Sequence, residues 1–186
     1  MRLALALINS EEWYGRGPEG VDDKLNVPGW LDDLLAREGL PVGSPPASRE
    51  LARVRRLRTL LRGMFTALAE GGDPAGGDLE RLDRFARRGV LHRRIEASGR
   101  VVLAPAKRDW DWVLSEIAAS FGELLADGER ARIKVCENPE CRWAFYDESR
   151  NRGRRWCTPA DCGNVFKVRA FRARRRAERT PGTGTS

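Results

Sequence analysis

The chain reads as an α+β protein, mostly α: a helical N-terminal domain with a small β-hairpin, then a treble-clef-like zinc finger ending in a basic helix. Three observations predict this. Apolar residues recur at three- and four-residue steps through much of residues 48–125, the spacing of helices with one buried face. One segment around Ser98-Gly99 alternates like a hairpin. All four cysteines lie between residues 136 and 162, in two C-x4-C pairs, directly ahead of the densest run of arginine.

The elements follow in order. "LALALI" is a buried strand or a first helical turn rather than a signal peptide. Its apolar run ends at Ile8, acids follow at Glu11 and Glu12, and no small-residue cleavage site appears. "PGWLDDLLAREGL" is a short helix, with Pro28 expected in its first turn and Gly39 near its end. Ser48 is the expected N-cap of a long helix that carries Leu51, Val54, Leu57, Leu61, Met64, Phe65 and Leu68 on one face. "GGDPAGG" ends it. A shorter helix shows Leu79, Leu82 and Phe85 on one face, with Gly89 after it. The hairpin comes next, and Asp109 then caps a helix carrying Trp110, Val113, Ile117, Phe121 and Leu124.

Charge divides the chain. Residues 131–186 hold 14 Lys+Arg and 6 Asp+Glu, a net of +8, whereas residues 1–130 hold 20 and 21, a net of −1. The composition shifts near 128–134, so we expect domains at 1–130 and 131–179, and a polar tail at 180–186 too rich in Gly and Thr to order itself. The concentration of positive charge in one third points to a local anionic partner.

Cys136 and Cys141 pair with Cys157 and Cys162 at a spacing that suits one structural Zn²⁺ held by four thiolates. Two disulfides are the alternative, with three possible pairings, and a redox switch is another. With no export signal, the expected compartment is the cytoplasm, where thiols stay reduced. The segment "RWAFYDESRNRGRRW" between the pairs has aromatic-rich flanks around a polar turn and reads as a hairpin. Four protein ligands leave no open position on the metal, which argues against metal-assisted hydrolysis.

These residues carry a resemblance. The two C-x4-C pairs, then Asp147, Ser149, Asn151, Arg154, Arg155 and Trp156, then Cys162-Gly163-Asn164, Lys167, Phe171, Arg172 and Arg174, resemble the CGNR zinc finger. The final Arg of that motif is Val165 here. The N-terminal part, with Asn9-Ser10, Arg16-Gly17, Asp23, Leu25 and "WLDDLLAREGL", is similar to the ABATE domain that precedes this finger. The family is regarded as stress-induced transcription regulators, so the resemblance implies DNA binding.

From Asp161 to about Arg176 the chain is expected to run as a helix, with Phe166, Ala170, Ala173 and Ala177 as a narrow packing stripe. Lys167, Arg169, Arg172, Arg174, Arg175, Arg176 and Arg179 cover the rest, and Arg154 and Arg155 precede them in the finger. Such a cationic surface suits double-stranded DNA, mostly through phosphates. The alternatives are a zinc-clasped adaptor whose basic helix meets an acidic protein, and RNA binding with Trp143, Phe145 and Tyr146 stacking on bases. A solvated helix whose cations complement its own dipole is a further alternative.

Nothing in residues 1–130 forms a catalytic set. His92 is the only histidine, and the glycine-rich stretches lack the lysine and the strand–loop–helix context of a phosphate loop. We expect no enzyme activity. A sensing or dimerising role fits a separate domain, and Asn9, Trp13 and Arg16 are candidates for a small-molecule pocket. The competing expectation is that Arg16 pairs with an acid such as Asp23 while Trp13 packs in the core. No apolar run approaches a membrane span.

Overall fold

The computed structural model describes residues 2–12 and 21–178. The opening apolar run is a helix, α1 (Arg2–Ile8), with Leu3, Ala4, Leu7 and Ile8 buried. Two short antiparallel strands follow, β1 (Glu11–Glu12) and β2 (Asp22–Asp23). Next come α2 (Trp30–Arg37), α3 (Ser48–Ala69) and α4 (Asp78–Ala86). Pro28 lies just outside α2, whose N-cap is Gly29, while Gly39 ends it at φ 74°. Ala47, not Ser48, caps α3, because Ser48 is already helical and its hydroxyl makes no cap hydrogen bond.

The predicted face of α3 is the centre of the fold: Val54, Leu57, Leu61, Met64, Phe65 and Leu68 are all buried, and Leu51 at its start is half-buried. Of the apolar residues expected on the inner face of α4, only Leu82 is buried. Leu79 is 59% exposed, because this short helix meets its neighbours along one narrow line. The hairpin of β3 (Leu91–Ile95) and β4 (Val101–Pro105) turns where expected, with Ile95 opposite Val101 and Gly99 at φ 79°. Helix α5 (Trp110–Asp127) follows, and the Asp109 side chain accepts hydrogen bonds from the amides of Asp111 and Trp112. It buries Val113, Leu114, Ile117 and Phe121 against α1, α3 and α4.

Gly89 lets α4 approach α5. A Cβ built there would stand 1.8 Å from Ser115 Oγ and 2.7 Å from Ser115 Cβ, and the Ser115 hydroxyl is itself hydrogen-bonded to the Trp112 carbonyl. Gly89→Ala is therefore expected to destabilise the protein by about 1–3 kcal/mol, the cost of overpacking a fixed contact. Parallel urea denaturation of parent and variant checks it.

The C-terminal third contains β5 (Ile133–Val135), β6 (Ala144–Tyr146) and α6 (Asn164–Glu178). Strand β6 pairs antiparallel with β5, so the hairpin encloses the first cysteine pair. The expected hairpin within residues 142–156 does not form. Residues 147–156 make a loop, because the partner strand lies upstream of Cys136.

The apolar core crosses the expected 128–134 boundary. Ile133 and Ala144 are buried in the same cluster as α1, α3 and α5. Asn9 adds a polar clamp: its side-chain amide donates to the Ala144 carbonyl at 2.8 Å and accepts from the Ala144 amide at 2.8 Å. Among the described residues, no helix is long and apolar enough to cross a membrane.

Candidate metal centre and nucleic-acid interface

Strand β5 delivers Cys136 at its end, and the Cys136 amide donates to the Trp143 carbonyl to close the hairpin around Cys141. Asn138 shapes this knuckle. Its carbonyl accepts from the Cys141 amide at 2.9 Å and its side-chain oxygen accepts from the Glu140 amide at 3.2 Å. Directly after Cys141 the chain turns through Arg142 at φ 51°, a left-handed conformation uncommon outside glycine. The second pair is presented differently. Thr158 caps a single wide turn, Pro159–Gly163, by accepting from the Asp161 amide, and Cys162 lies within that turn just before α6.

The four Sγ atoms lie within 4.8 Å of one another. Cys141 to Cys157 and Cys157 to Cys162 are each 3.6 Å apart. A tetrahedron of sulfurs around Zn²⁺, with Zn–S about 2.3 Å, has edges of about 3.8 Å. A disulfide needs about 2.05 Å instead, and all four cysteines are free thiols. Burial, ahead of every other cause, pushes the Cys141 thiol far up and the Cys157 thiol up to about 12. Burial opposes ionisation of Cys162 too. The hydrogen bond from the Asn138 side-chain amide, 3.5 Å from its sulfur, and contacts with the other thiols nevertheless bring it down. A divalent cation among the sulfurs would hold all four as thiolates. The cluster fits one structural zinc ion with every ligand supplied by the protein.

Packing around the cluster is small. Phe145 is buried with the cysteines, and Trp143 and Trp156 cover them half-buried. Tyr146 leaves this cluster, packs on the main core and accepts from the Glu129 amide at 3.1 Å through its hydroxyl. The aromatic residues proposed for base stacking thus have packing roles.

Asp147 organises the loop between the pairs. It is fully buried, and its carboxylate accepts from Lys134 Nζ at 2.7 Å and from the amides of Ser149 and Arg154 at 3.0 and 2.9 Å. Burial raises its pKa, but the Lys134 ammonium and the hydrogen bonds outweigh that and hold the carboxyl far below the usual carboxylate range. A depressed folded pKa contributes stability that is present above the unfolded value, about 3.9, and is lost as pH falls through the folded value. Asp147→Ala is expected to cost about 3 kcal/mol by leaving the Lys134 charge without its carboxylate. Between pH 5 and 8 the gap between parent and variant should stay constant, as thermal melts of both will show.

The other predicted residues divide into two groups. Arg154 is turned inward: its guanidinium donates to the carbonyls of Trp156 and Cys157 and lies 5.0 Å from the Phe145 ring centroid. Arg155 pairs with Glu137 and lies 5.2 Å from the centroid of Trp156. By contrast Lys167, Arg169, Arg172, Arg174, Arg175 and Arg176 are all exposed on α6. Arg169 is held by the Glu140 carboxylate at 2.9 and 3.0 Å, and Arg175 lies 5.8 Å from the Phe171 centroid. Phe166, though 42% exposed, packs against Trp156 in a tilted arrangement with centroids 5.4 Å apart. The side chains of Ala170, Ala173 and Ala177, and all of Arg179, lie outside what the structure describes.

Trp13 and Arg16 also lie outside the described residues. The third member of that expected pocket, Asn9, is buried and joined to Ala144, so its side chain serves the clamp. Asp23 pairs with Arg58 at 2.6 and 2.9 Å. Sequence reasoning passed over Asn138 and Lys134. The Asn-Pro dipeptide inside the first C-x4-C was the available signal for Asn138, whereas nothing local marks Lys134.

A comparison with curated proteins gives no match. Two family models do match: the CGNR zinc finger over residues 132–175 and, over residues 1–128, ABATE, described as a putative stress-induced transcription regulator. With the family model spanning most of the chain and the cysteine cluster assembled as the finger requires, this protein belongs to the ABATE family and carries a CGNR zinc finger.

Proposed function

We propose that the protein is a transcription regulator that binds double-stranded DNA through α6, with the zinc finger as the base that orients the helix. One observation carries the reading: α6 exposes six cations and has a single acid, Glu178, in its 15 residues. Its first turns are anchored by Phe166 against Trp156, while the row Arg169, Arg172, Arg176 follows the spacing of one helix face. Like charges at such spacing repel, and a polyanion relieves the cost. Val165 begins the same row and offers no charge where the family has Arg. A helix of this width enters the major groove, with arginine available for phosphates and guanine edges.

Binding rather than catalysis is the reading the site supports, since a closed four-cysteine centre leaves no position for a reactive water and His92 lies exposed on β3. Four free thiols suit the reducing cytoplasm. Val168 and Phe171 are also exposed on α6, and they favour the second reading, an adaptor helix that docks on an acidic protein.

The test is fluorescence anisotropy of a labelled DNA duplex across a salt series, with duplex RNA as competitor. DNA binding should weaken with a slope of log K against log salt of about −0.9 per phosphate contacted. A preferred sequence selected from a random pool supports a regulator. No binding at low salt moves the reading to the adaptor.

A further inference from the structure

A second cationic surface lies far from the finger in sequence. Helices α3 and α4 enclose a groove of about 650 Å³, within the range of small-molecule sites. Its walls carry five arginines, Arg53 and Arg56 from α3 and Arg81, Arg84 and Arg88 from α4 and its end, against one lining acid, Asp78. On α3 the arginines share a face with Leu60 and Gly63, at steps of three, four and three. Phe85 and Leu60, both half-buried, supply an apolar floor.

The arginines fall into two sets. Arg53 and Arg88 both pair with Asp111, the latter at 3.7 Å, and Arg81 pairs with the buried carboxylate of Asp78 at 3.2 Å. These three are paired with acids. Arg56 and Arg84 are exposed and make no hydrogen bond or ion pair among the described residues. Counting Asp78 and Asp111 against five guanidiniums leaves a formal +3. Repulsion at such spacing works against the fold unless an anion answers it.

Gly63 is an independent sign. It is exposed inside a helix, where glycine is unfavourable, and a Cβ there would meet nothing within 4 Å. Packing within the chain does not require it. Its effect is to leave the groove open between the two arginine-bearing walls.

We propose that this groove binds a small phosphorylated ligand with a flat apolar part, of the nucleotide class. Arginine's planar fork matches phosphate oxygens in pairs, and its face stacks on flat rings. Two unpaired guanidiniums beside three that are paired with acids suit a polyphosphate anion. Phe85 and Leu60 receive the apolar part. Asp78 remains occupied with Arg81 and disfavours anions that would crowd it. The groove shares no residue with the cysteine cluster or α6, so the proposal stands apart from the DNA reading.

The experiment is calorimetric titration of the full zinc-loaded chain with ATP, inorganic pyrophosphate and adenosine. ATP should bind, pyrophosphate more weakly, and adenosine not measurably. Arg56→Gln with Arg84→Gln should weaken ATP binding about a hundredfold, since each of the two charge-assisted contacts contributes about tenfold. Gly63→Leu should weaken it as much by filling the groove, without lowering the melting temperature. Duplex DNA binding should be unchanged in both variants. The proposal is overturned if ATP fails to bind at millimolar concentration, or if both variants bind ATP as the parent does. It is also overturned if the double variant loses DNA rather than ATP, which would make the groove a nucleic-acid surface.

Discussion

Cys157→Ser is expected to release the zinc ion and unfold residues 133–178. Structural zinc contributes about 10–16 kcal/mol in zinc-finger peptides, and the apolar cluster around the sulfurs is small. That cluster is four cysteines and Phe145, with Trp143 and Trp156 half-buried around them. The serine hydroxyl stays un-ionised at neutral pH and is a harder donor than a thiolate, and three remaining sulfurs do not close the site. The damage should spread. Ile133 and Ala144 belong to the main core and Asn9 is paired with Ala144, so loss of the finger strips one side of α3 and leaves a buried amide without its partners. Metal analysis should give about one zinc per chain in the parent and near none in the variant. Thermal melts should show the N-terminal transition moved to lower temperature. Retained zinc with an unchanged melt contradicts the assignment of the four ligands.

The triple change Arg169→Ala, Arg172→Ala, Arg176→Ala is expected to weaken duplex DNA binding on the order of 10³-fold, at about 1.5 kcal/mol for each charge-assisted contact. All three are exposed on α6, and none contributes to the sulfur cluster. Arg169 gives up its pair with Glu140, an exposed ion pair whose loss has little effect on stability. Zinc content should therefore stay at about one per chain. Val165→Arg should act in the opposite direction by adding about one phosphate contact to the same row. Undiminished DNA binding by the triple variant would mean that α6 is not the contact surface, and an acidic protein would become the partner to seek.

The residues that were legible in advance are those whose role depends on near neighbours. The face of α3 follows from the steps between Val54 and Leu68, and the Asp109 cap from its place before Trp110. The two C-x4-C pairs need only a fold that brings two short turns together, so the cluster was readable from spacing. Other residues take their contacts from partners far along the chain. Asn9 looks like a free polar group until Ala144, 135 residues on, occupies both ends of its amide. Arg154 counts as a cation in the sequence, but the loop built on Asp147 aims it at backbone carbonyls. Strands of three residues carry too little alternation to reveal their register, which is why β6 was assigned a downstream partner. Arg53, Arg56, Arg81, Arg84 and Arg88 line one groove only through the packing of α3 on α4, which no local pattern reveals.

The central claim is that a zinc-organised finger presents α6 to DNA. Its most direct test is the salt dependence of duplex binding by parent and triple variant, each verified to hold one equivalent of zinc. The slope of log K against log salt should become shallower by about 0.9 for each of three lost phosphate contacts, a change of about 2.7. Equal slopes and equal affinities in the two zinc-loaded proteins would contradict it.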